Sequence, residues 1–167
     1  MIRSKLLPAA LMTAAAYAIG SRSAAAAPTV QADIEYATTV AGEPLRLDLY
    51  TPESGAGAPL IVWVHGGGWE NGDKSAMPLG PVIERGFAVA SLDFSPASKA
   101  RFPGQIHEIK AAIRFLRAEA KLYGYEASRI AISGASSGAH LAAVVGTRNG
   151  ETELEGTLRG HRNQSSA

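Results

Sequence analysis

The chain of 167 residues contains no cysteine, which removes disulfides, thiolate metal sites and a cysteine nucleophile from consideration. Its chemistry must come from oxygen, nitrogen or a bound cofactor. A surplus of charge of one sign is also missing. Sixteen Lys and Arg stand against 15 Asp and Glu, and no stretch gathers five like charges, so nothing resembles an electrostatic footprint for a nucleic-acid partner. Internal repeats are absent. The most apolar stretch, Leu6 to Ile19, falls short of the roughly 20 residues that a membrane-spanning helix needs. With 46% apolar and 19% charged residues the composition is that of an ordinary globular protein, long enough for one domain with its own core.

What is present begins with a targeting pattern. Arg3 and Lys5 form a basic flank, LLPAALMTAAAYAI follows as an apolar segment, and Ala24-Ala25-Ala26 offers the small residues at which signal peptidase cuts. Residues 1–26 are therefore expected to be a signal peptide and residues 27–167 the domain. The expected destination is periplasmic or secreted, with no stable membrane anchor after cleavage. N-terminal sequencing of exported protein should start at Ala27; an intact Met1 in the mature product would overturn this assignment.

Beyond Pro28 the pattern alternates between strands and helices. Leu45, Leu47 and Leu49 alternate with Arg46, Asp48 and Tyr50, the period of a strand with one buried face, and residues 34–38 offer a hairpin partner. The Pro/Gly/Ser turn 51–59 leads into LIVWV at residues 60–64, a continuous apolar run expected of a central strand covered on both sides. A short helix is expected between Pro78 and Arg85, stopped by Gly86, and a second buried strand over residues 87–92. From Gln105 to Tyr123 the residues Ile106, Ile109, Ile113 and Leu116 recur at helical spacing, leaving Glu108, Lys110, Arg114 and Arg117 to the other side; Gly124 is the expected stop. Residues 130–133 read as another strand and residues 137–145 as a helix of small and apolar side chains. Strands alternating with helices imply a parallel sheet with helices on both faces. After Gly146 the chain is polar and shows no period.

Two motifs carry chemistry. Gly134-Ala135-Ser136-Ser137-Gly138 is a G-x-S-x-G placed between a buried strand and a helix. A sharp turn there needs glycines, because larger side chains would strike the neighbouring strand and helix, and the turn pushes the hydroxyl of Ser136 out as a nucleophile. His65-Gly66-Gly67-Gly68-Trp69 directly follows the LIVWV strand. Glycines at that place let backbone N–H groups approach a substrate oxygen, and the amides of Gly67, Gly68 and Ser137 are the expected oxyanion hole of an acyl transfer. Replacing Gly68 by a larger residue is expected to cost orders of magnitude in turnover. His65 reads as an organiser of its loop, His107 as a solvated helix residue, and Trp69 either lines an acyl pocket or caps the core. Glu70, Asn71 and Asp73 are assigned no role.

These segments, together with SLDFSPASKARFPGQIHEIKAAIRFLRAEA between them, resemble the esterase/lipase branch of the α/β-hydrolase superfamily. They are similar to bacterial feruloyl-esterase-like and hormone-sensitive-lipase-like carboxylesterases over nearly all of residues 27–167. The resemblance implies an α/β fold with a doubly wound, mostly parallel sheet, a Ser-Asp-His triad, no metal or organic cofactor, and hydrolysis of a small-molecule carboxylic ester. It assigns His140 to helix packing. Two positions depart from the family pattern: Ser137 stands where Ala is usual, and Asp93-Phe94-Ser95 where Asp-Tyr-Arg is common. In this fold the acid and then the base follow the nucleophile, and neither His140 nor His161 fits the base. The chain is accordingly expected to be truncated after the nucleophile-elbow helix, inactive as it stands and prone to aggregate. A serine peptidase of the same fold and a non-catalytic remnant are the alternatives.

Overall fold

A computed structural model describes residues 27–53 and 57–158; residues 1–26, expected to be a signal peptide, His161 and the polar residues 163–167 lie outside them. Five strands form one sheet: β1 (Thr29–Thr38), β2 (Pro44–Thr51), β3 (Ala58–Val64), β4 (Ala88–Leu92) and β5 (Tyr125–Gly134). Their order is β1-β2-β4-β3-β5. The hairpin β1–β2 and the pair β2–β4 are antiparallel, whereas β4–β3 and β3–β5 are parallel. The crossovers that parallel pairing requires are supplied by α1 (Gly80–Ile83), between β3 and β4, and α2 (Gly104–Tyr123), between β4 and β5. After β5 come α3 (Ser137–Thr147) and the single turn α4 (Thr152–Glu155).

Leu45, Leu47 and Leu49 are buried, as the alternation in β2 requires, and they lie on one sheet face with Leu60, Val62 and Val64 of β3 and Ala88, Ala90 and Leu92 of β4. The α2 residues Ile106, Ile109, Ile113 and Leu116 and the α3 residues Leu141, Ala142 and Val145 belong to this same core. The opposite face of β3 and β4, with Trp63 and Val89, packs against Ile83, Met77 and Leu79. Both long helices thus share one face, and the single turn of α1 with the loop before it covers the other. Gly124 caps α2 at φ 80°, the left-handed conformation in which helices commonly end.

One expectation about α2 is corrected. Its charged side does not face water: Glu108, Lys110 and Arg114 are all buried, and Arg117 Nη1 donates to the carbonyl of Ala127 at 2.8 Å. The segment 148–156 lies over that side. Lys110, with 0% exposure, donates through Nζ to Glu155 Oε1 at 2.7 Å and to the Arg148 carbonyl at 2.9 Å, while Arg114 Nη1 reaches the carbonyl and Oε2 of Glu155. A buried ammonium is tolerated only when paired and hydrogen-bonded, so Glu155 and the lysine require each other. His107 is half-buried, and its Nε2 donates to the Glu153 carbonyl at 2.8 Å. A residue with a side chain at Gly156 would strike the His107 ring, which is how the aperiodic stretch after α3 comes to lie so close to α2.

Candidate active site

Register brings the two glycine loops together. Val64, the last residue of β3, pairs with Gly134, the last of β5, so the loop at 65–69 and the turn at 135–137 leave the same edge of the sheet side by side. This is the edge at which open α/β sheets place their ligands. The Ala135 N–H donates to the Val64 carbonyl at 3.2 Å, tying the turn to the end of the neighbouring strand. The glycines are there for contact. A methyl group on Gly134 would lie 2.6 Å from Gly138 C and 2.7 Å from the Val64 oxygen, and one on Gly138 would overlap the carbonyl oxygens of His65 and Val64. On Gly66 it would come within 2.9 Å of the Ala135 oxygen.

Ser136 sits at the apex with φ 50° and ψ −120°. A non-glycine residue held in such a region costs on the order of 1–3 kcal/mol and persists only where its surroundings fix it. Here Val64, His65 and the first turn of α3 do so, leaving Ser136 exposed. Gly138 N–H closes the turn on the Ala135 carbonyl at 2.8 Å, and His140 N–H donates to the Ser136 carbonyl at 3.2 Å. The neighbouring Ser137 is 3% exposed, and among the described residues its Oγ has no hydrogen-bond partner. A hydroxyl in that position is less favourable than the alanine methyl it replaces, although the backbone amide at the start of α3 is unaltered.

The loop after β3 is a tight left-handed turn: Gly67, Gly68 and Trp69 have φ of 126°, 65° and 65°. The Gly67 carbonyl accepts the N–H groups of Asn71 at 3.0 Å and Glu70 at 3.2 Å. His65 is buried; its Nδ1–H donates to the Gly66 carbonyl at 2.7 Å, and its ring stacks on Phe94 at 4.4 Å between centroids. The family departure at residues 93–95 therefore acts on loop packing. Phe94 covers His65, and Asp93 Oδ1 accepts the Lys74 N–H at 2.7 Å. Burial raises the Asp93 carboxyl above the usual range in spite of that bond. Lys74 also reaches Asp33 and Asp48 through Nζ at 3.0 and 3.1 Å; burial opposes its charge, yet these partners hold the ammonium above its ordinary value. The outer part of the loop is thereby pinned to β2 and to the residues following β4.

Trp69 is 41% exposed and meets His140 edge to face, with ring centroids 5.8 Å apart. It does not cap the core, and His140 is exposed beside Ser136 rather than packed under its helix. Glu70 accepts Ser98 Oγ–H at 2.9 Å, and Asp73 accepts the Ser75 N–H at 2.7 Å; the hydrogen bonds from Ser75 lower the Asp73 carboxyl below the usual range. Among the described residues no carboxylate or imidazole is hydrogen-bonded to the Ser136 hydroxyl, and no group of His, Asp and Glu converges as metal ligands.

Two buried polar residues near the start of α2, Gln105 and Glu108, support the loops beside the site, a role that no motif announces. Glu108 Oε2 accepts the Ser95 N–H at 2.7 Å, and burial raises its carboxyl above the ordinary glutamate value. Their spacing of three residues, flanking the buried Ile106 and Ile109, is the only trace they leave in the sequence.

The BD-FAE family model matches residues 47–167. The chain is 30% identical over 104 residues to esterase LipC of Mycobacterium tuberculosis, an alignment covering 60% of this chain and 26% of that protein. Among solved structures, the bifunctional GH43-CE protein of Bacteroides eggerthii superposes with a TM-score of 0.73 at 34% identity, over 82% of this chain and 21% of that one. A truncated form of a carbohydrate esterase from gut microbiota does so with a TM-score of 0.68 at 30% identity, over 83% of this chain and 53% of its own. The chain spans about a quarter of the length of the curated relatives it matches.

Proposed function

The chain belongs to the BD-FAE family of α/β-hydrolase esterases, and from that premise we propose that the whole protein hydrolyses small-molecule carboxylic esters through an acyl-enzyme on Ser136, the described residues by themselves being inactive. The observation that carries this reading is the strained, exposed apex at Ser136, φ 50°, set against the left-handed turn of Gly67 and Gly68. A serine hydroxyl at such a turn attacks the ester carbonyl, and the carbonyl oxygen becomes an oxyanion. The amides of Gly67, Gly68 and Ser137 receive that charge. Backbone donors held in place before the reaction stabilise the transition state without reorganising during it. Collapse of the tetrahedral intermediate expels the alcohol, and water then releases the acid.

The hydroxyl needs a base to take its proton. His65 and His107 hydrogen-bond to backbone carbonyls, and His140 is one helical turn along from the nucleophile with its ring against Trp69. The base and its acid partner therefore come from outside the described residues. The same reading includes export by residues 1–26, which puts the reaction in the periplasm or outside the cell. In a form of the protein that carries the base, turnover of 4-nitrophenyl acetate, compared with the matching anilide, tests the reaction class. Ester hydrolysis is expected to dominate by orders of magnitude; equal or faster cleavage of the anilide would favour a peptidase.

A further inference from the structure

Three consecutive residues in the left-handed region, the last of them a tryptophan, form a turn that holds only where its surroundings over-determine it. The groups that fix Trp69 act on its carbonyl oxygen. Ala97 N–H donates to it at 2.7 Å and Gln105 Nε2 at 3.3 Å. The other hydrogen of that amide goes to the Ser95 carbonyl at 2.8 Å. Ser95 is itself held by its N–H on the Glu108 carboxylate. Gln105 is 5% exposed, and both its N–H donors are committed to backbone carbonyls of the two loops flanking the site. Little else about Gln105 calls for an amide: its neighbours Ile106 and Ile109 serve the apolar core.

We infer that Gln105 is a positioning residue for the loop that receives the oxyanion: by holding the Trp69 carbonyl it fixes the turn that aims the amides of Gly67 and Gly68. The inference rests on the proposed role of those amides. Gln105 acts through Trp69 and touches no reacting atom. Amide alignment matters more to the transition state than to substrate binding, so the loss on removing Gln105 falls on kcat and spares KM.

The experiment uses Gln105→Met, which keeps the length of the side chain and removes both donors, and Gln105→Glu, which turns a carboxylate toward two carbonyl oxygens. Each is made in a form of the protein that hydrolyses 4-nitrophenyl acetate and is assayed with that ester beside the unsubstituted protein and Ser136→Ala. In Gln105→Met, kcat is expected to fall about ten- to a hundredfold, the range set by misplacing a catalytic group by roughly 1 Å. KM should stay within about threefold, as expected for an interaction made chiefly in the transition state. Gln105→Glu should lose at least as much. Hydrogen exchange at the Ala97 amide should quicken in Gln105→Met while exchange in β3 and β4 stays unchanged. Wild-type kcat, unaltered exchange at Ala97, or failure of both variants to fold would overturn the positioning role. The reading beneath it is judged separately. Turnover that survives Ser136→Ala removes that reading; an inactive Ser136→Ala beside a fully active Gln105→Met removes the Gln105 role alone.

Discussion

Ser136→Ala is expected to abolish covalent labelling by a fluorophosphonate and to reduce ester turnover to background in any form of the protein that hydrolyses an aryl ester. The expectation follows from where the hydroxyl stands. Ser136 is exposed at the apex of a turn whose other members are buried or backbone-locked, and its φ of 50° keeps the side chain directed away from the sheet. The adjacent Ser137 is a natural competitor for the label, yet its Oγ is buried and has no partner among the described residues, so it cannot reach a phosphonate. Loss of an acylated serine costs a factor on the order of 10⁶ in kcat in serine hydrolases, and the oxyanion hole and binding alone leave a residual acceleration of roughly 10³ over water. Intact-mass measurement after labelling reads the outcome without dependence on substrate choice. A phosphonate adduct that persists in Ser136→Ala would put the nucleophile elsewhere. The substitution should leave the fold in place, since alanine loses only an exposed hydroxyl.

The strands were legible because burial imposes period two on β2 and an unbroken apolar run on β3, and both patterns stand in the sequence as they do in the sheet. The elbow was legible for a different reason. Its glycines are required by contacts with Val64, with His65 and with each other, and a steric requirement that only glycine meets leaves a recognisable spacing. The charged side of α2 misled, because helical periodicity identifies the face that meets the apolar core and is silent about a second cover. That cover is the segment 148–156, bound through Lys110, Arg114 and His107 by charge and backbone carbonyls. Such contacts have no period. Gln105 was illegible for a related reason: a glutamine near the start of a helix looks ordinary, and only the three-dimensional meeting of Trp69 and Ser95 above it gives its amide a purpose.

Gly67 and Gly68 look alike in the sequence, but the structure separates them, and their alanine variants should fail in different ways. A methyl on Gly67 would overlap the carbonyl oxygen of Asn71, whose N–H in turn donates to the Gly67 carbonyl. Backbone cannot yield as a side-chain tip can, so Gly67→Ala must open the turn over residues 67–71. The expected cost is about 2 kcal/mol or more in unfolding free energy, the scale of overpacking at a fixed site. Turnover should fall by about 10²- to 10³-fold as the amide leaves its place. At Gly68 nothing among the described residues lies within 4 Å of where its methyl would stand, and its φ is 65°. There alanine meets only the intrinsic penalty of the left-handed region, about 1 kcal/mol, and the turn can stay closed. The added methyl instead projects into open space beside the proposed oxyanion amides, where a substrate carbonyl would have to enter. Gly68→Ala should therefore fold nearly normally and still lose about 10²-fold in turnover through the displaced oxyanion contact, with larger side chains losing more. Urea unfolding and aryl-ester turnover on the two variants separate the effects. Equal losses of stability would refute the steric distinction, and near-normal turnover in Gly68→Ala would remove that amide from the oxyanion hole, leaving Gly67 and Ser137 to supply it.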